Sequence, residues 1–458
     1  MVSHSAVSAL EDVFRYIDEN ADGDDEIPDA RELFRDHMAR DGGEIDALEL
    51  PHVYREPVAD LAKGTLFDRW YGIDASTMPP KKFRNGMIAS AAVASGGALG
   101  DCDESVEQQE TVVAAVHAEI EGLDSPVDLI DDDVTLTLVP VDEPPARSEL
   151  DRWVGASARV PAECWHSERL ATEVEGPMFL DGSLYPMSVL PFVNMTRTSR
   201  GDDDPVAFGE IEEMGVAASA IQSRISAIDE LAGRGFPTLG FTKTLRSDDV
   251  VDALATKAEA VDAPPRMPWD DDAQFVSALL ADDEPDHLTF TSWLVRSHQR
   301  VYGNDLEPLG GFQMPEGREA RDFRRAFFFV RLPDDIVLRV EAPLMLVDSE
   351  RGRLRIQQLA LAHIAEAGDV PFAVKRADDR ARISPEARRH LVRLIRGTEE
   401  VADYNTDRRW GYDGGPSLAR EPDVVAPDPD AEPNDGAGEE EESTADQPTD
   451  SIEPTTEQ

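Results

Sequence analysis

The sequence has little positive charge and very little lysine. Its 458 residues include only 44 Lys and Arg, six of them lysine, against 94 Asp and Glu, and the formal net charge is −50. Such a composition is typical of a halophilic proteome, whose carboxylate-rich surfaces stay hydrated in concentrated salt. Because the Debye length is about 3 Å at molar ionic strength, this charge argues against nucleic acid as a partner only at low salt.

Cysteine and long apolar runs are also scarce. Cys102 and Cys164 are the only cysteines, and two cannot form a disulfide framework or, by themselves, a structural zinc site. No run approaches 18 apolar residues, and the N-terminus has no basic segment followed by an apolar one. We therefore expect a soluble cytoplasmic protein.

Several catalytic motifs are missing. There is no Gly-x-Ser-x-Gly elbow for a serine nucleophile and no Gly-x4-Gly-Lys-Ser/Thr loop of a P-loop ATPase. The nine histidines include no pair with metal-ligand spacing, and His298, His363 and His390 fall on helical patterns where ordinary packing is expected. These absences leave acidic side chains as the main source of chemistry.

The pattern of apolar residues predicts an α/β fold with a mixed sheet. We expect an N-terminal helical and acidic segment at 1–60, a main domain at 61–400 and a disordered acidic tail at 401–458, because 421–458 hold 14 acidic residues and no Lys or Arg. The predicted strands are 70–74, 86–93, 134–139, 178–181, 236–241, 326–332 and 336–341. The predicted helices are 5–20, 147–174, 207–231, one capped by Ser247 that reaches 260, 353–367, and one opened by Ser384-Pro385.

Two of these strands end in the same way. The run from Trp70 to Asp74 is followed by Ala-Ser, and the run from Met178 to Asp181 is followed by Gly-Ser. A carboxylate at the end of an apolar strand is costly to desolvate unless a cation or a donor compensates it. Two such strands side by side would present two carboxylates to one divalent metal ion, whereas the simpler interpretation is that each Asp begins an Asx-turn.

An ordered set of segments resembles the NurA nuclease family of archaea and bacteria. The set comprises Gly72-Ile73-Asp74-Ala75-Ser76, Leu180-Asp181-Gly182-Ser183-Leu184, Leu239-Gly240-Phe241-Thr242-Lys243, Leu338-Arg339-Val340-Glu341-Ala342-Pro343, and Val370-Pro371-Phe372-Ala373-Val374 leading to Ala377-Asp378. The resemblance runs from about residue 70 to about residue 395. It implies a ribonuclease H-like core, cleavage of DNA with Mn²⁺ or Mg²⁺, a homodimer, and end resection with a HerA-type hexameric ATPase.

The resemblance also implies which residues act. Asp74 and Asp181 would bind the metal and carry cleavage, and a third acidic ligand is expected from the helix between them. Glu168 matches the family pattern best, Glu163 is the alternative, and Glu173 is less favoured.

Two basic groups are candidates for DNA contact, and a third basic residue is expected in an ion pair. Lys243 follows an apolar strand and suits a phosphate contact, or it closes a strand edge. The cluster of Lys81, Lys82 and Arg84 would follow a DNA backbone, or it is a solvated hairpin. Arg339 and Glu341 share one strand face, so a structural ion pair is expected there.

The sequence departs from the family at its last expected strand. NurA proteins usually carry Tyr-Pro near the start of this strand and His eight residues after the Tyr, where this chain has Val370-Pro371 and Asp378. A carboxylate is also a ligand for Mn²⁺ or Mg²⁺, so Asp378 is expected as a further metal ligand, unless it merely faces solvent. The function expected is a metal-dependent DNA nuclease, with a non-catalytic DNA- or translocase-binding scaffold as the alternative.

Overall fold

The structure is a computed structural model. It describes residues 12–16, 28–63, 66–83, 86–102, 105–118, 126–130, 134–141, 150–186, 215–245, 247–259, 267–282, 284, 286–301, 304–306 and 309–384. The chain divides into a unit of residues 1–403 and a unit of residues 404–458, and the second lies outside the described residues. The predicted tail and the helix expected after Ser384 also lie outside them, as does the predicted helix at 5–20 except for residues 12–16, which are helical.

The strands follow the expected order but extend further along the chain. They are β1 Ile45–Ala47, β2 Val53–Pro57, β3 Arg69–Lys82, β4 Ile88–Gly100, β5 Glu110–His117, β6 Val127–Ile130, β7 Val134–Pro140, β8 Met178–Asp181, β9 Thr238–Thr242, β10 His287–Thr291, β11 Leu294–Arg296, β12 Gln299–Val301, β13 Asn304–Leu306, β14 Arg325–Arg331 and β15 Val337–Pro343. The predicted hairpin of β14 and β15 is confirmed by their antiparallel pairing.

The described helices include two that are longer than 18 residues. The helices are α1 Ala30–His37, α2 Val58–Leu61, α3 Ser105–Gln108, α4 Leu150–Ala171, α5 Gly215–Gly233, α6 Asp249–Ala258, α7 Asp272–Leu279, α8 Leu344–Val347, α9 Glu350–Ala367 and α10 Phe372–Ala381. The predicted N-cap at Ser247 is wrong, because α6 begins after Asp248. Ser247 instead donates to Asp272, whose carboxylate accepts from the first amides of α6.

One large mixed sheet carries the fold, as predicted. Among the described residues, 13 strands join it, in the order β1-β11-β14-β15-β9-β8-β3-β4-β5-β7-β6, with β10 beside β14 and β2 beside β10. The three central neighbours β3, β8 and β9 are parallel. The strands of residues 45–57 belong to this sheet through β11 and β10, so this part of the first 60 residues packs with the main domain.

Helices cover both faces of the sheet. At the centre of β4, Gly96 faces Leu170 of α4 while Gly97 faces α10, as expected for neighbouring positions of a strand. A Cβ on Gly72 would lie 2.0 Å from the carbonyl oxygen of Ala373, so α10 rests directly on the β3 backbone. None of the described helices is long and apolar enough to cross a membrane.

The last expected strand is a helix. Residues 372–381 form α10, in which Ala373, Val374, Ala377 and Ala381 are buried. Their spacing is helical, and it presents one small-residue face to the glycines of β3 and β4. The expectation of a strand after Pro371 was therefore wrong.

Candidate active site

The sheet register brings Asp74 and Asp181 next to each other. Strands β3 and β8 run parallel, with Ile73 opposite Leu180 as their last paired residues. Asp74 and Asp181 are the next residues on the two strands, and neighbouring strands lie about 4.8 Å apart. The two apolar runs that are each followed by an aspartate therefore lie side by side in the sheet, with their aspartates next to each other.

Asp74 is the more perturbed of the two carboxyl groups. It is 6% exposed, and its pKa is raised to about 7 by burial first, then by the charges of Asp181 and Glu163. The backbone amide of Ala75 and the guanidinium of Arg159 oppose this shift without cancelling it. A group of acids that repel one another this strongly favours a bound cation.

The third acid at this place is Glu163. Its charge acts on Asp74, and its side chain is 17% exposed. Glu168 lies five residues later on α4, about 140° further around the helix axis, and its charge acts on the buried Cys164. The expectation that Glu168 joins the two aspartates is not supported, because the rotation of α4 against the sheet turns Glu163 toward Asp74.

Glu173, the less favoured candidate for the third acidic ligand, lies beyond the end of α4. It accepts a hydrogen bond from Gln109 Nε2 at 2.6 Å. It thus has a partner on the neighbouring connection to β5.

Two cations accompany the acids. Arg159 Nε donates to Glu163 Oε1 at 2.7 Å, and Glu163, Asp74 and Asp181 all raise the pKa of this guanidinium, opposed by burial. Lys243 Nζ lies 3.3 Å from Asp181 Oδ1 at the end of β9. Both side chains are partly exposed, at 48% for Arg159 and 43% for Lys243, so both can also reach a ligand in solvent.

The residue types fit a hard divalent cation. Three carboxylates supply the oxygen ligands that Mn²⁺ or Mg²⁺ takes, and burial, followed by the charges of Asp181 and Glu163, raises the pKa of Asp74. Within the described part of the chain, however, no three acidic, histidine or cysteine side chains are grouped closely enough to hold an ion as they stand. Arg159 and Lys243 pair with two of the three acids.

The turn after Asp181 is held by a buried carboxylate. Ser183 Oγ and Leu184 N both donate to Glu341 Oε2, each at 2.7 Å. The other oxygen of Glu341 accepts from Arg339 Nε at 2.8 Å and from Arg325 Nη1 at 3.3 Å. The expected ion pair of Arg339 and Glu341 is therefore present. Glu341 also accepts hydrogen bonds from Arg325 and from the turn after Asp181.

A line of charges continues from this turn, buried at Arg325 and partly exposed at the residues that follow. Arg325 lies 3.7 Å from Asp249, Asp249 lies 3.0 Å from Arg296, and Arg296 lies 2.5 Å from Glu44. The line thus connects the Asp181 turn to the chain just before β1.

The basic cluster lies at the far end of β3. Lys81 is seven residues beyond Asp74 on one continuous strand, which corresponds to roughly 23 Å. Lys82 pairs with Asp151 at 2.7 Å, and Arg84 lies outside the described residues. These lysines are therefore remote from the acids.

Asp378 is not brought into the acidic group. It lies on α10 with its side chain 47% exposed, and its Oδ2 pairs with Arg382 at 2.9 Å one turn later. This i, i+4 pair is an ordinary exposed helix pair. The structure therefore does not support Asp378 as a metal ligand.

Sequence reasoning missed Arg159 and the contact of Glu341 with the turn after Asp181. The i, i+4 spacing of Arg159 and Glu163 is visible in the sequence and would have favoured Glu163. The contact of Glu341 with Ser183 joins residues 158 positions apart, and no local pattern reports it.

Comparison with known proteins gives a distant structural likeness. No protein-family model matches the chain, and no curated protein sequence matches it. The crystal structure of the NurA nuclease from Sulfolobus solfataricus is 14% identical, with a TM-score of 0.44 over 86% of this chain and 97% of that chain. The crystal structure of NurA bound to dAMP and manganese is 11% identical, with a TM-score of 0.39 over 87% of this chain and 98% of that chain. At this level of similarity the site rests on the chain's own residues.

Proposed function

We propose that this chain is a metal-dependent nuclease that hydrolyses phosphodiester bonds of DNA. The observation that carries the proposal is the adjacency of Asp74, inside β3, and Asp181, at the end of the parallel strand β8, with Glu163 acting on the same buried carboxyl group. Two adjacent aspartates with a third acid acting on one of them, two cations beside the acids and no serine elbow favour phosphodiester chemistry over acyl transfer.

The acids would hold the metal, and the cations would hold the DNA. Asp74, Asp181 and Glu163 are the residues that would bind Mn²⁺ or Mg²⁺. When bound, a divalent ion neutralises charge on the phosphate and lowers the pKa of a bound water. Glu168 was the other expected ligand and serves as a control.

Arg159 and Lys243 suit the phosphate itself. Both are partly exposed, and each is already within 3.3 Å of one of the acids. A guanidinium binds phosphate oxygens bidentately and an ammonium binds them as a point charge. Each would exchange a carboxylate partner for a phosphate oxygen when substrate enters.

The resemblance seen in the sequence supports finer statements within this proposal. The core would be ribonuclease H-like, and the enzyme would prefer Mn²⁺. It would degrade single strands and duplex ends, as a 5′–3′ exonuclease with single-strand endonuclease activity. It would act as a cytoplasmic homodimer with a HerA-type hexameric ATPase in end resection during double-strand break repair.

The test is cleavage of labelled single-stranded and duplex DNA in molar KCl with Mn²⁺, with Mg²⁺, or with EDTA. We expect metal-dependent cleavage that Asp74→Asn and Asp181→Asn each reduce more than a hundredfold. Asp128→Asn is the matched control, because Asp128 is a strand aspartate bonded to Thr137 at the other end of the sheet. DNA binding without cleavage by the wild type would instead indicate the non-catalytic scaffold.

A further inference from the structure

The turn that follows Asp181 is held at three consecutive residues. Gly182 has a φ of 114°, a conformation that glycine adopts without strain, and its N–H donates to the carbonyl of Phe241 at 2.9 Å. The next two residues, Ser183 and Leu184, donate to one oxygen of Glu341. The direction in which the chain leaves Asp181 is thus determined by strands β9 and β15.

Gly240 makes room for this arrangement. It pairs with Glu341 in the register of β9 and β15. A Cβ on Gly240 would lie 2.7 Å from both the Gly182 carbonyl oxygen and the Leu184 nitrogen. The turn therefore lies directly on the bare backbone of β9, where the adjacent Glu341 carboxylate can reach it.

Glu341 divides its two oxygens between two tasks. It is fully buried, and burial would raise the pKa of its carboxyl group, but Arg325, Arg339 and the donors of the turn lower it instead. Oxygen Oε1 accepts from the two arginines, and Oε2 accepts from the turn. A charged acceptor strengthens both sets of hydrogen bonds.

We infer that Glu341 is a positioning residue of the proposed metal site, which holds the Ser183–Leu184 turn so that the Asp181 carboxylate faces its neighbour Asp74. The inference rests on the proposed function. The alternative is that Glu341 only stabilises the fold as a buried ion pair. Partners of metal-binding carboxylates commonly change metal affinity by ten- to a hundredfold, whereas a purely structural pair does not change it selectively.

Glutamine at this position separates the two roles. It keeps the size of the side chain but replaces one acceptor oxygen by an NH₂ donor. The two arginines are donors only, so they hold the remaining oxygen, and the NH₂ then faces the Leu184 N–H and the Ser183 hydroxyl. The hydroxyl can accept from the NH₂, but the Leu184 N–H loses its acceptor. Glu341→Gln therefore loosens the turn at Leu184 while it keeps the contact with the arginines.

The experiment compares Mn²⁺ binding by the full chain in molar KCl without DNA, followed through the electron paramagnetic resonance signal of free Mn²⁺. We expect Glu341→Gln to weaken Mn²⁺ binding about tenfold. We also expect faster hydrogen exchange in the peptide that carries Ser183 and Leu184, and a higher half-saturating Mn²⁺ concentration for cleavage with little change at saturation.

Asp272→Asn is the matched control. Asp272 is also fully buried and accepts from a serine hydroxyl and two backbone amides, at Ser247, Val250 and Val251. It should lose stability as Glu341→Gln does, but keep its Mn²⁺ affinity.

Equal Mn²⁺ affinity for wild type and Glu341→Gln, or unchanged exchange at the turn, overturns the inference. If Glu341→Gln fails to fold, Ser183→Ala removes one of the two hydrogen bonds and should weaken Mn²⁺ binding about threefold; no change there overturns the inference as well. Absence of Mn²⁺-dependent cleavage in the wild type is a different result, since it refutes the proposed function itself.

Discussion

Replacing Asp74 should stabilise the metal-free protein while it abolishes metal binding. The folded pKa of Asp74 is about 7 against an ordinary value of 3.8. Below pH 4 the group is protonated in both the folded and the unfolded chain. Between pH 4 and 7 only the folded chain keeps the proton, so stability falls as the pH rises, and above pH 7 the full destabilisation is present.

The size of this effect follows from the shift. Three pKa units correspond to about 4 kcal/mol as an upper bound. Relaxation around the ionised group reduces it, so we expect Asp74→Asn to gain about 2 kcal/mol at pH 8 and close to nothing at pH 4.

Thermal or denaturant unfolding in molar KCl with EDTA, from pH 4 to pH 8, measures this difference. Mn²⁺ should then raise the unfolding temperature of the wild type but not of Asp74→Asn, because a ligand stabilises only the state that binds it. An Asn variant that is no more stable than wild type at pH 8, or a difference that does not change with pH, would refute the assignment of Asp74 as a strained acid.

Three further predictions concern the helices around the site. Glu163→Gln should lower cleavage at least a hundredfold while Glu168→Gln on the same helix stays within about twofold of wild type, and equal losses would contradict the assignment of the third acid. Asp378→Ala should stay within about twofold in cleavage with either Mn²⁺ or Mg²⁺, and a strong loss would return this residue to the site. Gly72→Ala should destabilise the protein by about 3 kcal/mol, measured by chemical unfolding, because its Cβ would lie 2.0 Å from the Ala373 oxygen; a neutral result would show that α10 can move aside.

The two aspartates were predictable because an apolar run that stops at an acidic residue is a local feature of the sequence. The expected strand end at Asp74 was wrong, since β3 continues to Lys82, but the parallel pairing of β3 with β8 stops at Ile73 and Leu180 and brings the two aspartates together. The mixed sheet and the hairpin of β14 and β15 were predicted on the same kind of local pattern.

The third acid depends on how a helix is rotated, which is less visible. On α4 the buried residues Val154, Ala158 and Ala162 recur every four positions and pack with the strand residue Ala75. Glu163 follows the last of them directly but lies about 100° from it around the helix axis, and Glu168 lies about 120° from it on the other side. The stripe alone therefore does not separate the two glutamates, and their difference depends on how the whole helix packs against the sheet.

The helix at 372–381 was missed for a different reason. Its small-residue face has meaning only against Gly72 and Gly97, which lie about 280 residues earlier in the chain. Long-range complementarity of this kind cannot be seen in a window of local sequence, and the same holds for Glu341 and its turn.

The line of charges from Glu44 to Glu341 bears on how far the chain can be shortened. A chain that starts after residue 60 would lose β1 and β2, which pair with strands β11 and β10, and it would leave Arg296 with one carboxylate instead of two. Arg296 shares Asp249 with Arg325, and Arg325 holds the carboxylate beneath the Asp181 turn. The smallest active fragment should therefore begin before Glu44, because these ion pairs link Glu44 to the turn beside the acids.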